Sequence, residues 1–188
     1  MRSRFKKGAI FLASAAFIAA AVSYLAFRQQ HPSEIGPSGA GAVADRKEIA
    51  STVHLYFGDR GNDYLTAETR LLVHEPGPAT LGRAIVTALI SGPRTDRLRT
   101  VSEQTQLRAF YVTDDATAYV DLTEAVSENH PGGASAELMS VYSIVNSLIL
   151  NIPEIQRVKI LLAGSEATTL AGHIDLRHPL AANMLILR

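Results

Sequence analysis

Residues 106–122 read QLRAFYVTDDATAYVDL and decide the fold of the chain. Residues 106–112 form one strand pattern, and apolar and polar residues alternate over 117–122, which is typical of a strand with one buried face. Asp114 and Asp115 lie between the two runs, and aspartate favours turns because its side chain bonds nearby backbone amides. Two strands joined by so short a connection predict a β-hairpin.

A helix and a further strand follow this hairpin. The segment 131–133 (PGG) precedes a run with one apolar face at helical spacing, for which Ser135 is the predicted N-cap and Pro153 the end. The face comprises Leu138, Val141, Tyr142, Val145, Leu148 and Ile149. The next run, 157–163 (RVKILLA), alternates again and predicts a strand.

The same order of elements precedes the hairpin. Val53, Leu55 and Phe57 alternate with polar residues, and residues 69–74 form a second strand pattern. A helix face follows from 81 to 89, with Thr80 as the predicted N-cap and residues 92–93 (GP) as the stop. At the other end of the chain, residues 184–187 predict a short closing strand.

This order predicts an α+β fold in which a strand-strand-helix unit occurs twice and a further strand follows. We expect the two helices to pack on one face of a mixed sheet, since each has a single apolar face to bury. The predicted domain covers residues 51–188, which is long enough to form its own core.

The N-terminal part differs in composition. Residues 1–7 form a basic tip, and residues 8–27 carry no charge over 20 positions, long enough to cross a bilayer as a helix. The preceding positive charge predicts a signal anchor with a cytoplasmic N-terminus and an extracytoplasmic, periplasmic C-terminal domain, held to the inner membrane by residues 8–27. A cleaved signal peptide is the alternative. Residues 28–50 are rich in Gly and Pro and predict a flexible linker.

Charge and cysteine content exclude several kinds of function. The chain has 18 basic and 18 acidic residues, but without residues 1–28 it has 13 basic against 18 acidic. An acidic exported part argues against nucleic-acid binding. The absence of cysteine excludes disulfides, thiolate zinc sites and a lipidated cysteine anchor.

Several short segments, in order, carry a family resemblance over about residues 52–179. They are 55–57 (LYF), 88–93 (ALISGP), 119–123 (YVDLT), 144–148 (IVNSL), 158–164 (VKILLAG), 172–176 (GHIDL) and Pro179. With these segments the chain resembles the GerMN domain family of spore germination and sporulation proteins. The motif positions of interest are Tyr56, Gly92, Pro93, Asp121, Gly164, Gly172, His173 and Asp175.

The resemblance implies an extracytoplasmic bacterial domain without established enzyme activity. It implies a binding or scaffolding module of the cell envelope, in some members linked to sporulation, with a fold similar to ring-building motifs. Many relatives are lipoproteins and some carry two copies of the domain, whereas this chain lacks cysteine and has room for one copy.

The candidate site residues each have a structural alternative. His173, Asp175 and His178 could bind a metal or contact a ligand or partner, but we expect His173 and Asp175 to bond loop backbone instead. Arg94, Arg97 and Arg99 form a basic stretch, countered by Asp96, that suits an acidic partner or a solvated loop. Outside this set, His54 and His74 lie on neighbouring predicted strands and could face each other.

No motif in the sequence supports catalysis. No serine lies in a nucleophile elbow, and no glycine-rich phosphate loop follows a strand. We therefore expect no enzyme activity, cofactor or metal. Two hypotheses remain: assembly with an envelope protein or with itself through a sheet edge, and binding of peptidoglycan or a small ligand by a sensor module.

Overall fold

The computed structural model describes residues 47–61 and 64–188. The predicted basic tip (1–7), the predicted anchor (8–27) and the predicted linker up to residue 46 lie outside the described residues. Within the described part, no helix combines the length and apolar character needed to cross a membrane.

The elements occur in the predicted order. They are β1 (Ile49–Gly58), β2 (Leu65–His74), α1 (Pro78–Ser91), β3 (Leu107–Val112), β4 (Thr117–Leu122), α2 (Ala125–Glu128), α3 (Ala134–Ile149), β5 (Arg157–Leu162), β6 (Ser165–Glu166) and a 3₁₀-helix (Met184–Ile186). Two strand-strand-helix units and a further strand are therefore confirmed. The short helix α2 and the two-residue strand β6 were not predicted.

The strands form two sheets. β1 and β2 pair antiparallel, and the second sheet has the order β3-β4-β5-β6. This second sheet is mixed, because β4 and β5 are parallel while β3–β4 and β5–β6 are antiparallel. The predicted hairpin is confirmed, and Thr113 N donates to Thr117 O at 3.0 Å across its turn. The α+β class is confirmed as well.

Both long helices pack on these strands. α1 contacts β1, β2 and β3, whereas α3 contacts β1 and β5. The core between them is built from the residues that alternate inward on the strands, such as Phe57 and Val120, and from helix residues such as Leu89 and Leu148. Each of these four side chains is fully buried.

Both helices begin before their predicted N-caps. α1 begins at Pro78, whose fixed φ suits the first helical position, and Gly77 precedes it. The predicted cap Thr80 lies inside the first turn, where its hydroxyl donates to Gly77 O at 2.8 Å. α3 begins at Ala134 after Gly133, so the prediction of Ser135 as its cap was wrong too.

The ends of the strands also differ from the prediction. β1 begins at Ile49, two residues inside the predicted linker, and β2 begins at Leu65 rather than at residue 69. The closing strand predicted over 184–187 is wrong, since residues 184–186 form a 3₁₀-helix. The Asn183 side chain accepts from Leu185 N at 3.0 Å and thereby favours that helical turn.

Candidate interaction surface

Over residues 54–58, the outer edge of β1 is closed by side chains of α3 and of the residues after it, and by the backbone of Leu98. Asn151 Oδ1 accepts from His54 N at 2.8 Å and Asn151 Nδ2 donates to His54 O at 2.8 Å. Ser147 Oγ accepts from Tyr56 N at 3.0 Å. Gly58 then exchanges two backbone bonds with Leu98. Polar side chains of α3 and of the turn after it thus take the place of a neighbouring strand.

Among the described residues, the outer edge of β2 has no backbone partner beyond Leu65. Because His54, Tyr56 and Gly58 point their backbone groups away from β2, the register of the pair leaves the odd-numbered residues of β2 pointing away from β1. Leu65 O is occupied by Arg188 N at 3.0 Å. The outward backbone groups are therefore those of Ala67, Thr69, Leu71 and Val73.

These outward residues carry no charge. Leu71 is 65% exposed and Val73 is 61% exposed. Natural proteins usually protect an edge strand with a charged side chain, a proline or a bulge. β2 is ten residues long and has no bulge. No charged residue or proline stands at its outward positions, 67, 69, 71 and 73. An unprotected edge of this length is suited to pairing with another strand.

The two charges of β2 point inward and pair with each other. Arg70 Nε donates to Glu68 Oε1 at 2.6 Å, and both residues are buried. Arg70 also donates to Gly92 O at 2.6 Å and to Ala88 O at 3.2 Å, and so binds the C-terminal end of α1. The pair therefore locks α1 against β2, and the two charges compensate each other within the domain.

Glu68 is ionised in this position. Burial alone would raise its pKa, but bonds from the Thr95 hydroxyl, from Arg70 and from the backbone of Arg94 and Thr95 lower the pKa from 4.5 to about 2. The backbone N–H groups of Arg94 and Thr95 donate to Glu68 Oε2 at 3.0 Å and 2.8 Å. Glu68 thus fixes the start of the loop that follows α1.

A groove of about 680 Å³ lies between the inward-facing side of β2 and α1, and we call it the β2–α1 groove. Leu72 and Val73 of β2 line one wall, and Ala84 and Ala88 of α1 line the other. Its cations include Arg83 and Arg94, both exposed, and Glu75 is the single acidic residue among the described residues that line it.

The structure brings Gly92, Pro93 and Arg94 to the end of this groove. Gly92 ends α1 with φ of 87°, and a β-carbon there would stand 2.5 Å from Arg99 Nη2. The predicted stop of α1 at residues 92–93 is thus confirmed. Arg97 lies apart and pairs with Asp59 at 3.0 Å.

Asp121 and Gly164 also come together, at the end of the mixed sheet. Asp121 Oδ1 accepts from Gly164 N at 2.8 Å, and Oδ2 lies 3.5 Å from Arg108 Nε. Gly164 has φ of 82° in the turn between β5 and β6. Asp121 therefore holds that turn against the end of β4.

Gly172 and His173 surround a buried carboxylate that the sequence analysis missed. Glu137, in the first turn of α3, is fully buried and accepts from the backbone N of Leu170, Ala171 and His173 at 2.7 to 2.8 Å. His173 Nδ1 lies 3.1 Å from Glu137 Oε2. Burial alone would raise the pKa of Glu137, but the backbone N–H groups of the loop lower it.

Asp175 lies outside this arrangement. It pairs with Arg177, whose Nη2 stands 2.8 Å from Asp175 Oδ2 and whose backbone N donates at 2.9 Å. The expected bond of Asp175 to loop backbone is thus present, whereas the His173 ring contacts Glu137. Across residues 47–61 and 64–188, no group of three or more His, Asp or Glu side chains is placed to hold a metal ion.

The remaining predicted residues lie on the two-stranded sheet. Tyr56 packs on a small second core with Leu65, and burial raises its pKa. His54 and His74 do not face each other, so that expectation was wrong. His54 stands opposite Thr69, whereas His74 is buried with its Nε2 2.9 Å from Ser51 Oγ.

A second cleft of about 960 Å³ lies elsewhere on the domain. Residues 98–104 line one side of it, and residues 129–136, which lead into α3, line the other. Asp59, from the loop that follows β1, borders this cleft, whereas no residue of the loop 164–179 lines it.

Solved structures of a sporulation protein contain domains with a similar fold. The first GerMN domain of the sporulation protein GerM from Bacillus subtilis matches with a TM-score of 0.54 and 18% identity, over 72% of this chain and 98% of that one. The tandem GerMN domains of the same protein match with a TM-score of 0.57 and 17% identity over 71% of this chain. This chain spans 46% of that tandem structure.

A putative lipoprotein from Clostridium perfringens has the same fold, with a TM-score of 0.52 and 21% identity over 71% of this chain and 87% of that one. The model of the Germane family, described as sporulation and spore germination, matches residues 54–168. The chain therefore belongs to the Germane family, and the GerMN resemblance is confirmed. No curated protein sequence matches this chain.

Proposed function

We propose that the chain is a membrane-anchored, extracytoplasmic domain of the bacterial cell envelope that binds another protein and acts as a scaffold for assembly. The unprotected outer edge of β2 carries this proposal, because its outward backbone groups and exposed apolar side chains favour pairing with another chain.

The location rests on the sequence outside the described residues. The basic residues before position 8 and the uncharged stretch over 8–27 favour an anchor with the domain outside the cytoplasm. The Clostridium perfringens chain of similar fold is named a putative lipoprotein, which is compatible with an envelope location reached by a different anchor. Sporulation or germination is the process that the family description favours.

Chemical crosslinking in intact cells, followed by mass spectrometry of the purified chain, tests the proposal. We expect an envelope protein, or a second copy, to be crosslinked through residues near β2. A chain that remains uncrosslinked at the membrane, while a control envelope complex in the same cells is captured, contradicts the proposed function.

The cleft of about 960 Å³ favours a second candidate, the binding of peptidoglycan or a small ligand by a sensor module. Its size lies within the range of roughly 300–1,000 Å³ that ligand pockets occupy. A pull-down on purified peptidoglycan separates the two candidates. Retention that is lost in His130→Ala, at the cleft, but kept in Thr69→Pro, at the β2 edge, would favour the ligand-binding candidate.

A further inference from the structure

We infer that the β2–α1 groove takes an extended, acidic segment of a partner protein, which adds to β2 as a new strand. This inference rests on the proposed function and specifies both the surface and the chemistry of the partner. Among the described residues, three features meet at this place in the fold. They are the outward backbone groups of β2, the groove beside them, and an excess of arginine over acidic side chains in the groove lining.

The open backbone groups supply the pairing. Four alternate residues, 67, 69, 71 and 73, present N–H and C=O groups to the outside of the sheet. Over residues 54–58, the opposite edge of this sheet is closed by Asn151, Ser147 and Leu98. The edge of β2 is therefore the more accessible one for an added strand, and main-chain bonds of this kind supply much of the affinity in strand addition.

The groove supplies the room. A strand that pairs with β2 must place every second side chain on the side where α1 lies. There the helix presents Ala84 and Ala88, which leave the groove of about 680 Å³ between the two elements. Because Ala84 and Ala88 are four residues apart, they lie next to each other on one face of the helix. Their small side chains leave space for the side chains of an added strand.

The charge selects the partner. Arg70 is neutralised by Glu68 at 2.5 Å, but Arg83 and Arg94 are exposed. Arg83 donates to Phe110 O at 3.3 Å, a neutral group, and the Arg94 side chain has no ion pair among the described residues. Glu75 is the one acidic residue beside these two arginines in the described lining, so the groove keeps a net positive charge. Carboxylates on the added strand would pair with the arginines and compensate that charge.

A second copy of this chain fits the groove less well. Its own β2 brings one carboxylate, that of Glu68, and this group is already bonded to Arg70 and to the N–H groups of Thr95 and Arg94. Antiparallel pairing of two copies centred on Arg70 would also set Arg70 opposite its own copy. A separate acidic segment avoids both costs.

The test measures binding of labelled decapeptides to the full chain in mild detergent by fluorescence anisotropy. The probe alternates valine and glutamate, and its counterpart replaces every glutamate with lysine. Two further probes carry backbone N-methyl groups on all valines or on all glutamates. Because only alternate residues of an added strand donate to β2, the two methylated probes distinguish strand addition from attraction by charge alone.

We expect the glutamate peptide to bind at least about tenfold more tightly than the lysine peptide, and only one of the two methylated probes to lose binding. Thr69→Pro, which removes an outward N–H, should abolish binding. The double variant Arg83→Ala and Arg94→Ala should weaken it about tenfold. The matched control Arg157→Ala and Arg177→Ala, which removes two arginines outside the groove, should leave it unchanged.

Absence of binding up to millimolar peptide, equal binding of the glutamate and lysine peptides, or equal loss with both methylated probes overturns the inference. A dimer in analytical ultracentrifugation that Thr69→Pro dissociates and that the peptide does not displace also overturns it, since a second copy then fills the edge. A partner crosslinked in cells through another surface contradicts this inference alone. Absence of any partner contradicts the proposed function.

Discussion

Glu137 Oε2 lies 2.7 Å from the backbone nitrogen of His173 and joins the first turn of α3 to the loop after β6. Glu137 is fully buried, while the His173 side chain is 44% exposed. Since a buried carboxylate is tolerated only with several donors, the backbone N–H groups of this loop and Glu137 depend on each other. The Gly172–His173 motif is therefore built around a residue on a different element.

The substitution Glu137→Gln should open this loop without unfolding α3. The amide keeps the shape of the side chain but removes the charge that strengthens each bond, so we expect a loss of about 2–4 kcal/mol in the free energy of unfolding. Hydrogen exchange at residues 170, 171 and 173 should become faster than in the wild type. Unchanged protection there, with Glu128→Gln as an exposed control, would show that the carboxylate does not hold the loop.

Removing one member of the buried Glu68–Arg70 pair should be costly. Arg70→Met leaves Glu68 buried without its guanidinium and should lower the free energy of unfolding by about 3–5 kcal/mol in urea. Arg177→Met breaks an exposed pair with Asp175 and should lower the free energy of unfolding far less. Similar losses in the two variants would contradict the structural role given to the buried pair.

The stability of the domain should fall in acid through the same two carboxylates. The folded-state pKa of Glu68, about 2, lies below its ordinary value of 4.5, and the pKa of Glu137 is lowered as well. The stabilisation from Glu68 is fully present above about pH 4.5 and is lost as the pH falls toward 2, and the stabilisation from Glu137 is likewise lost in acid, below its ordinary pKa of 4.5. Glu68→Gln should flatten the pH dependence of the melting temperature between pH 5 and pH 2, and an unchanged slope would contradict the assignment.

Gly92 should tolerate a side chain less than Gly132 does. Both have positive φ, 87° and 83°, but a β-carbon at Gly92 meets the Arg99 guanidinium, whereas one at Gly132 has nothing within 4 Å. Gly132→Ala should cost about 1 kcal/mol from the backbone conformation, and Gly92→Ala about 1–2 kcal/mol more. Equal changes in urea midpoint would show that Arg99 moves aside freely.

The part of the fold that local patterns encode could be predicted. The strand pattern over 106–112, the alternation over 117–122 and the Asp114–Asp115 turn are sufficient for the hairpin, because strand pattern and turn chemistry lie within one short segment. The stop of α1 at Gly92 is local in the same way. Thr80 and Ser135 misled the prediction, because Pro78 and the glycines before each helix determine where it begins.

The candidate surface could not be predicted in the same way. The donors to Glu137 are backbone groups more than 30 residues along the chain, which no spacing in the sequence encodes. That β1 is capped by Asn151 and Ser147 while β2 stays open likewise depends on tertiary packing. One signal was available: Glu68 and Arg70 are two apart in a strand, which places them on one face and leaves the other face uncharged.

The most direct test of partner binding at β2 is site-specific photo-crosslinking in the native cell. A photoreactive amino acid replaces Leu71 on the outer face of β2 or, as a control, Leu185, which is 89% exposed in the C-terminal segment. We expect irradiation to yield a discrete crosslinked protein from position 71 and none from position 185. No product at position 71, or the same product at both positions, would contradict the account.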